Sequence, residues 1–325
     1  VYEGLSHADP KLAEMAAVFE MPRFNCIFYL YRPALAPFAE SCLRTGMGMS
    51  IKAGIAAEVI GMAERSIGGR LYEAKIYLDT AGVFAWTAVV ILLSACMERG
   101  VLLLWRGFCL WKPEPHVCGR NANRQHPDGR EIVLEKISKA YGKKQVLTEF
   151  SARWEPGSVQ CLMAPSGSGK TTLLRLLAGL ERPDGGELKS GDKVAMVFQE
   201  DRLCEEASAL CNVELVCKSR QAARACLEAL LPGEDLGQKV SALSGGMRRR
   251  VCLARALAAD VEVLLLDEPF TGLDGTSRDN AARVIREWQG GRTVVVATHE
   301  AEDARRLSGE ILNMRESMQK EWKKA

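Results

Sequence analysis

The residues Cys161 to Leu177 read Cys-Leu-Met-Ala-Pro-Ser-Gly-Ser-Gly-Lys-Thr-Thr-Leu-Leu-Arg-Leu-Leu. A short apolar run enters a Gly/Ser loop and an amphipathic helix leaves it, the strand–loop–helix order of a phosphate-binding loop. In such a loop Ser166, Gly167, Ser168 and Gly169 turn backbone N–H groups onto phosphate oxygens. The positive N-terminus of the next helix lies behind them. Lys170 would reach the β- and γ-phosphates of a nucleotide, and the Thr171 hydroxyl would ligate Mg²⁺. The usual pattern opens with glycine, and here that place is Ala164. If the backbone there takes φ > 0, alanine costs roughly 1 kcal/mol or more. A chance Gly/Ser turn is the alternative reading of this stretch alone.

More chemistry lies along the chain. Val194 to Phe198 is a short apolar strand ending in Gln199, whose side chain can reach Mg²⁺ and an attacking water. Val261 to Leu266 is a buried-type strand ending in Asp267-Glu268-Pro269. Asp267 would hold Mg²⁺ through water, and Glu268 would orient or deprotonate the attacking water. Thr293 to Ala297 is another parallel-type strand, followed by Thr298-His299-Glu300, where His299 could contact the γ-phosphate. A lone His at a strand end is usually structural. In Leu243-Ser244-Gly245-Gly246-Met247-Arg248, Ser244 can cap a helix and the glycine pair lets a phosphate approach the backbone. Arg248 to Arg250 otherwise read as a solvated helix face. Tyr141, closing the strand-like stretch from Ile132, can stack on adenine; a surface tyrosine in a turn is the bland reading.

The elements that would position these groups form an α/β domain over 131–325. The 325 residues allow a second domain. A net charge of +2 leaves no global field that would argue for nucleic acid or an acidic partner. The 11 cysteines include no CxxC pair, so buried free thiols in a reducing cytosol are expected. His116, Cys118 and His126 lie near one another, but no fourth ligand or zinc spacing is visible. The first residue is Val, not Met, which reads as an unusual start or as a piece of a longer chain; no signal peptide is visible.

Residues 1–111 differ in character. Asp9-Pro10 starts a helix whose Leu12, Met15, Ala16 and Phe19 share one face, and Pro22 breaks it. Ala81 to Met97 is a run of 17 residues without a charge, the lower edge of a membrane span, with a buried core helix as competitor. Glu98-Arg99 end that run. Six Lys/Arg in 98–130 against three in 64–79 place the C-terminal side in the cytoplasm. Ser50 to Gly61 is rich in small residues, and its Lys52 and Glu58 should face protein or water if it lies in the membrane. Lys112 to Arg130, with three prolines and two glycines, reads as a linker.

Taken together, 131–315 resembles the ATP-binding-cassette ATPases, P-loop NTPases with an added helical subdomain. The resemblance implies that Tyr141 stacks on adenine and that Ala164 to Thr172, including Thr172, is the phosphate loop. It also makes Gln199 the lid glutamine, Leu243 to Met247 the signature, Asp267 and Glu268 the metal and base pair, and His299 the switch histidine. Gly272 to Asp274 would line a dimer contact, so Asp274 joins the nucleotide-site residues. Leu203-Cys204-Glu205-Glu206 departs from the Pro-Trp often found after the lid Gln.

Residues 1–105 are similar to the C-terminal part of an importer permease of the nitrate/sulfonate/taurine type. The likeness rests on Asp9-Pro10, Glu14-Met15-Ala16, Tyr31-Arg32-Pro33-Ala34-Leu35 and Lys52 to Gly61. In that family the Glu-Ala-Ala loop docks on the ATPase, with a glycine six residues after the Glu; here that residue is Glu20. The expected protein is an all-α membrane permease fragment (1–111), a linker (112–130) and a cassette ATPase (131–325). It would hydrolyse ATP with Mg²⁺ to drive solute import, at the cell membrane with the ATPase on the cytoplasmic face. Its implied partners are a second ATPase domain in a homodimer, the remaining permease helices or subunit, and an extracytoplasmic solute-binding protein, but no nucleic acid. The rivals are a soluble cassette ATPase without a transport role and an ATP-binding remnant without turnover. The solute is not named by the sequence.

Overall fold

A computed structural model of the chain describes residues 9–61, 65–111, 113–115, 129–165 and 167–314. They divide into two compact units, one holding Tyr31–Pro113 and the other holding Asp9–Leu30 together with the described residues from Glu114 onward. The division differs from the expected break at 112–130: Asp9–Leu30 belongs with the α/β unit. Most of the expected linker, with His116, Cys118 and His126, lies outside the described residues, as does Ser166.

The α/β unit begins with α1 (Pro10–Val18). Asp9 caps it by accepting from Lys11 N at 2.9 Å, with Pro10 in the first turn, where no N–H is needed. The apolar face read from the sequence is buried: Met15 is fully covered, and Ala16, Val18 and Phe19 join the core of this unit. Burying a side chain such as Met15 contributes about 1.5–3 kcal/mol, which explains why this segment sits with the α/β unit. Just beyond α1, the Asn25 amide donates to the carbonyl of Leu215 at 3.1 Å.

Two sheets follow. β1 (Ile132–Tyr141), β2 (Lys144–Trp154) and β4 (Gly185–Lys189) form an antiparallel sheet in the order β2-β1-β4. β3 (Val159–Met163), β5 (Val194–Val197), β6 (Val263–Asp267), β7 (Thr293–Thr298) and β8 (Glu310–Asn313) form a second sheet in the order β5-β6-β7-β3-β8, with parallel pairings. Every residue of β6 and β7 is buried, as expected for strands covered on both faces. Helices α5 (Lys170–Leu177), α9 (Gly275–Trp288) and α10 (Ala301–Leu307) accompany it. A helical group is built from α6 (Ala209–Glu214), α7 (Arg220–Leu230) and α8 (Gly245–Ala258). A serine starts each of the three: Ser208, Ser219 and Ser244 accept from backbone N–H groups three residues on. At the far end of α8, buried Arg292 donates to the carbonyls of Leu257 and Ala259 at 3.1 and 3.0 Å, satisfying acceptors the helix leaves open.

Among the described residues the other unit holds three helices: α2 (Arg32–Ile60), α3 (Ile67–Ile76) and α4 (Thr80–Leu110). α4 runs unbroken through Glu98-Arg99, where the sequence ended the apolar run. Of those two charges Glu98 meets Arg44 of α2 at 3.4 Å, and two turns further on Arg106 meets Glu40 of α2 at 2.9 Å. Phe84, Ile91, Leu92, Leu103 and Leu104 are all exposed on α4. Among the described residues α4 alone is long and apolar enough to cross a membrane, over Thr80–Cys109. Ser50 to Gly61 forms the end of α2 and does not meet that criterion. Its Lys52 is exposed, and the Glu58 carboxylate accepts from Gly68 N at 2.9 Å.

Of the described cysteines, Cys161, Cys204, Cys217, Cys226 and Cys252 are buried free thiols, as expected, whereas Cys42 and Cys96 are exposed. Burial pushes the Cys204 and Cys226 thiols up to about 12, so they stay protonated and pack as small apolar groups.

Candidate functional site

Strand register brings the chemistry together. Met163 lies beside Thr298, Asp267 beside Ala297, and Val197 beside Leu266. The carboxyl ends of β3, β5, β6 and β7 are therefore level, the edge where open α/β sheets bind ligands. The Gly/Ser loop follows β3, Gln199 lies exposed two residues after β5, Asp267 ends β6, and His299 follows β7.

Two glycines shape the loop. Gly167 has φ 78° and Gly169 φ 94°. A Cβ on Gly169 would also stand 3.0 Å from the side chains of Val146 and Leu147. Ala164 is not among the residues of positive φ. The feared backbone cost at that position is absent, because the left-handed turns fall at Gly167 and Gly169 instead. Lys170 is 5% exposed and its ammonium folds back on the loop, donating to the carbonyls of Ala164 and Pro165.

Asp267 is almost wholly buried, and one carboxylate oxygen, Oδ2, has no hydrogen-bond partner among the described residues; nor has Ser168 Oγ. Burial pushes the Asp267 carboxyl up, and a hydrogen bond from Thr171 opposes that shift. An unpartnered buried carboxylate oxygen beside a threonine hydroxyl is a donor set that suits Mg²⁺, so these residues fit the ion.

Glu268 adopts φ 47°, a left-handed conformation that costs a non-glycine residue about 1–2 kcal/mol. Its N–H donates to the Ala297 carbonyl at 2.9 Å. Its carboxylate lies 3.3 Å from His299 Nδ1 and accepts from the Thr271 hydroxyl at 3.4 Å. Backbone strain persists where surrounding structure enforces it, often at functional positions.

Tyr141 ends β1 about half exposed. Its hydroxyl donates to Glu181, and Lys139 Nζ stands 5.8 Å from the ring centre. Burial and the Glu181 bond push its phenol up, opposed by a hydrogen bond with Thr172, which places the ring beside the start of α5. Glu181 in turn accepts from Arg175 Nε. Arg175 grips Glu14 of α1 through two bonds of 3.0 Å, and Arg202 donates to the same carboxylate at 2.6 Å. The Arg175 hydrogen bond, helped by Arg202, holds the Glu14 carboxyl at about 2. Arg202 lies three residues after Gln199. Sequence reasoning found Glu14 by motif but missed its two arginine partners, which are distant in the chain.

Ser244 caps α8 by accepting from Met247 N at 3.3 Å. A Cβ on Gly245 would meet nothing within 4 Å, and one on Gly246 would stand 3.2 Å from the Gly272 carbonyl. Asp274 has a local task, since its carboxylate caps α9 by accepting from Ser277 N at 2.7 Å. Of the three arginines read as a solvated face, Arg249 is 2% exposed. The helix turns it under the sheet's edge, a fact that three like residues in a row do not disclose.

Comparison with known proteins agrees with this geometry. The family described as ABC transporter matches residues 147–271. The aliphatic sulfonates import ATP-binding protein SsuB 3 of Rhodococcus jostii is 36% identical over 206 residues, covering 62% of this chain and 77% of that protein. The Fe(3+) ions import ATP-binding protein FbpC 1 of Rhizobium meliloti is 39% identical, over 57% of this chain and 58% of that protein. Among solved structures, the dimeric bacterial ABC transporter cassette MJ0796 superposes with a TM-score of 0.52 at 30% identity, covering 56% of this chain and 94% of the cassette. The same cassette in a post-hydrolysis state with ADP and Pi matches with a TM-score of 0.52 at 29% identity, over the same shares of both chains.

Proposed function

This chain belongs to the ABC transporter family of ATP-binding proteins, and from that premise we propose that it hydrolyses ATP to drive import of a solute across the cell membrane, with its α/β unit on the cytoplasmic face. The observation that carries the reading is the convergence of Lys170, Asp267, Glu268 and His299 at the level ends of β3, β6 and β7. ATP would lie with its phosphates on the loop 164–172 and its adenine against Tyr141. Lys170 leaves its own loop carbonyls for the β- and γ-phosphates. Glu268 orients the attacking water and takes its proton, and His299 steadies the Glu268 carboxylate and the γ-phosphate. Thr171 and Asp267, with Gln199 at the rim, would hold Mg²⁺, which when bound would supply neutralisation of the phosphate charge. A remnant without turnover is not favoured, because Ala164 sits without backbone strain.

We further propose that α1 is the coupling element of a permease portion that includes α4. Support comes from its place in the α/β unit and from the grip of Arg175 and Arg202 on Glu14. Two chains would pair, Ser244, Gly245 and Gly246 of each facing the nucleotide of the other, near Asp274. Remaining permease helices or another subunit and an extracytoplasmic solute-binding protein would complete the importer. The relatives' names divide between sulfonates and Fe(3+), so this portion carries no assignment of solute. The test is phosphate release by the purified chain. Glu268→Gln should bind ATP and slow turnover by at least roughly 10²-fold; unchanged turnover would remove the base assignment.

A further inference from the structure

Arg249 lies in α8, five residues after Ser244, and none of the chemistry above uses it. Its guanidinium is buried, and all three of its nitrogens are engaged. Nη2 donates to two successive carbonyls, those of Asp267 at 2.5 Å and Glu268 at 2.7 Å. Nε donates to the carbonyl of Pro269 at 3.3 Å. Nη1 donates to the carbonyl of Phe198 at 2.6 Å and reaches the Asp201 carboxylate at 3.3 Å. One side chain thus ties the signature helix to the peptides on both sides of Glu268 and to the residue before Gln199.

The geometry of Nη2 is the informative part. In an extended strand successive carbonyls point to opposite sides, so one nitrogen cannot reach both. At Asp267 and Glu268 it does, because the chain turns left-handed at Glu268, φ 47°. The angle φ of Glu268 is set by the relative orientation of the two carbonyl carbons that flank its N–Cα bond, and Arg249 holds the oxygens on both. The Thr271 N–H adds a bond to the Glu268 carbonyl at 3.2 Å, and the Ala297 carbonyl holds the Glu268 N–H. A strained conformation of this kind persists only where such bonds over-determine it. Buried Arg292 offers the contrast: its carbonyl partners include the end of α8, away from the site, and its task is to satisfy a helix terminus.

We propose that Arg249 is a positioning residue for ATP hydrolysis: by chelating the Asp267 and Glu268 carbonyls it holds Glu268 in the conformation that aims its carboxylate at the attacking water, and through the Phe198 carbonyl it sets that alignment against the segment bearing Gln199. This rests on the reading of Glu268 as the base. Loss of the fork would let Glu268 relax towards an ordinary strand conformation and swing its carboxylate away from His299.

The test is a double-mutant cycle on the full chain in detergent micelles, with phosphate release and nucleotide binding measured side by side. Arg249→Met should lower kcat by roughly 10–10²-fold, the scale of a misplacement of about 1 Å, while the Kd for ATP changes less than about threefold. Arg249→Lys, which keeps the charge but not the fork, should fall between. In the Glu268→Gln background Arg249→Met should change the residual rate by less than about twofold, because residues that act as a unit are non-additive. Losses that multiply in the double variant, or a loss of ATP affinity matching the loss of rate, overturn the proposal. If Arg249→Met fails to fold by thermal melting, Arg249→Lys carries the same cycle. Failure of the underlying reading looks different: Glu268→Gln alone would then turn over at the unchanged rate.

Discussion

Replacing Glu14 with Gln should loosen α1 from the α/β unit without unfolding that unit. The Glu14 carboxyl falls from 4.5 to about 2, chiefly through its hydrogen bonds from Arg175 and Arg202. At about 1.36 kcal/mol per decade, that fall of about 2.5 amounts to at most about 3.4 kcal/mol. The side chain is 35% exposed, so solvent screening reduces the usable part to about 1–2 kcal/mol. Arg175 keeps Glu181 and Arg202 keeps the Lys11 carbonyl when Glu14 is neutralised, which also argues for the lower range. Amide hydrogen exchange reads this directly. At pH 7 the α1 amides of Glu14→Gln should exchange about 5–30 times faster than those of the parent chain, while β6 and β7 keep their protection. The sign with pH follows from the lowered value. A carboxyl held below its unfolded value contributes its full stabilisation above about pH 4.5 and loses it as pH falls through about 2. The gap between variant and parent, corrected for intrinsic exchange, should therefore close between pH 4.5 and 2. Equal protection of α1 at pH 7, or a gap that does not shrink on acidification, would refute the carboxylate clamp.

Glu20 holds φ 47°, a left-handed conformation that favours glycine; Glu20→Gly should raise stability in urea by about 0.5–1 kcal/mol, the strain relieved less the freedom given to the unfolded chain, and a destabilised variant would contradict strain at this turn. Arg292→Met leaves buried carbonyls at the end of α8 without donors, so a loss of about 3 kcal/mol or more is expected on chemical denaturation. Lys170→Ala should weaken ATP binding itself, measured by nucleotide titration, and an unaltered Kd would take Lys170 out of the phosphate site. Gel filtration of Glu268→Gln with saturating ATP should give a dimer of the chain, and a monomer under those conditions would count against the composite site.

The residue order alone disclosed the family and pointed to candidate phosphate-site groups, because phosphate chemistry demands particular side chains at short fixed spacings. Lys170 must follow the loop glycines, and Asp267 and Glu268 must end a buried strand; such local constraints leave a trace in one dimension. The helix at Pro10 and the serine start of α8 were legible for the same reason, since caps and apolar faces are written within a turn or two. What joins distant segments was not legible. The grip of Arg175 and Arg202 on Glu14 spans well over a hundred residues of chain, and it moves Asp9–Leu30 from the expected permease fragment into the α/β unit. Ala164 looked costly only while the location of the left-handed turns was unknown. Arg249 is the clearest case. Beside Arg248 and Arg250 it has the composition of a wet helix face. Only the packing of α8 beneath the ends of β5 and β6 decides which of the three is buried and meets the Phe198, Asp267 and Glu268 carbonyls. A guanidinium's partners are set by what the fold brings within about 3 Å of it, and backbone carbonyls carry no sequence signature.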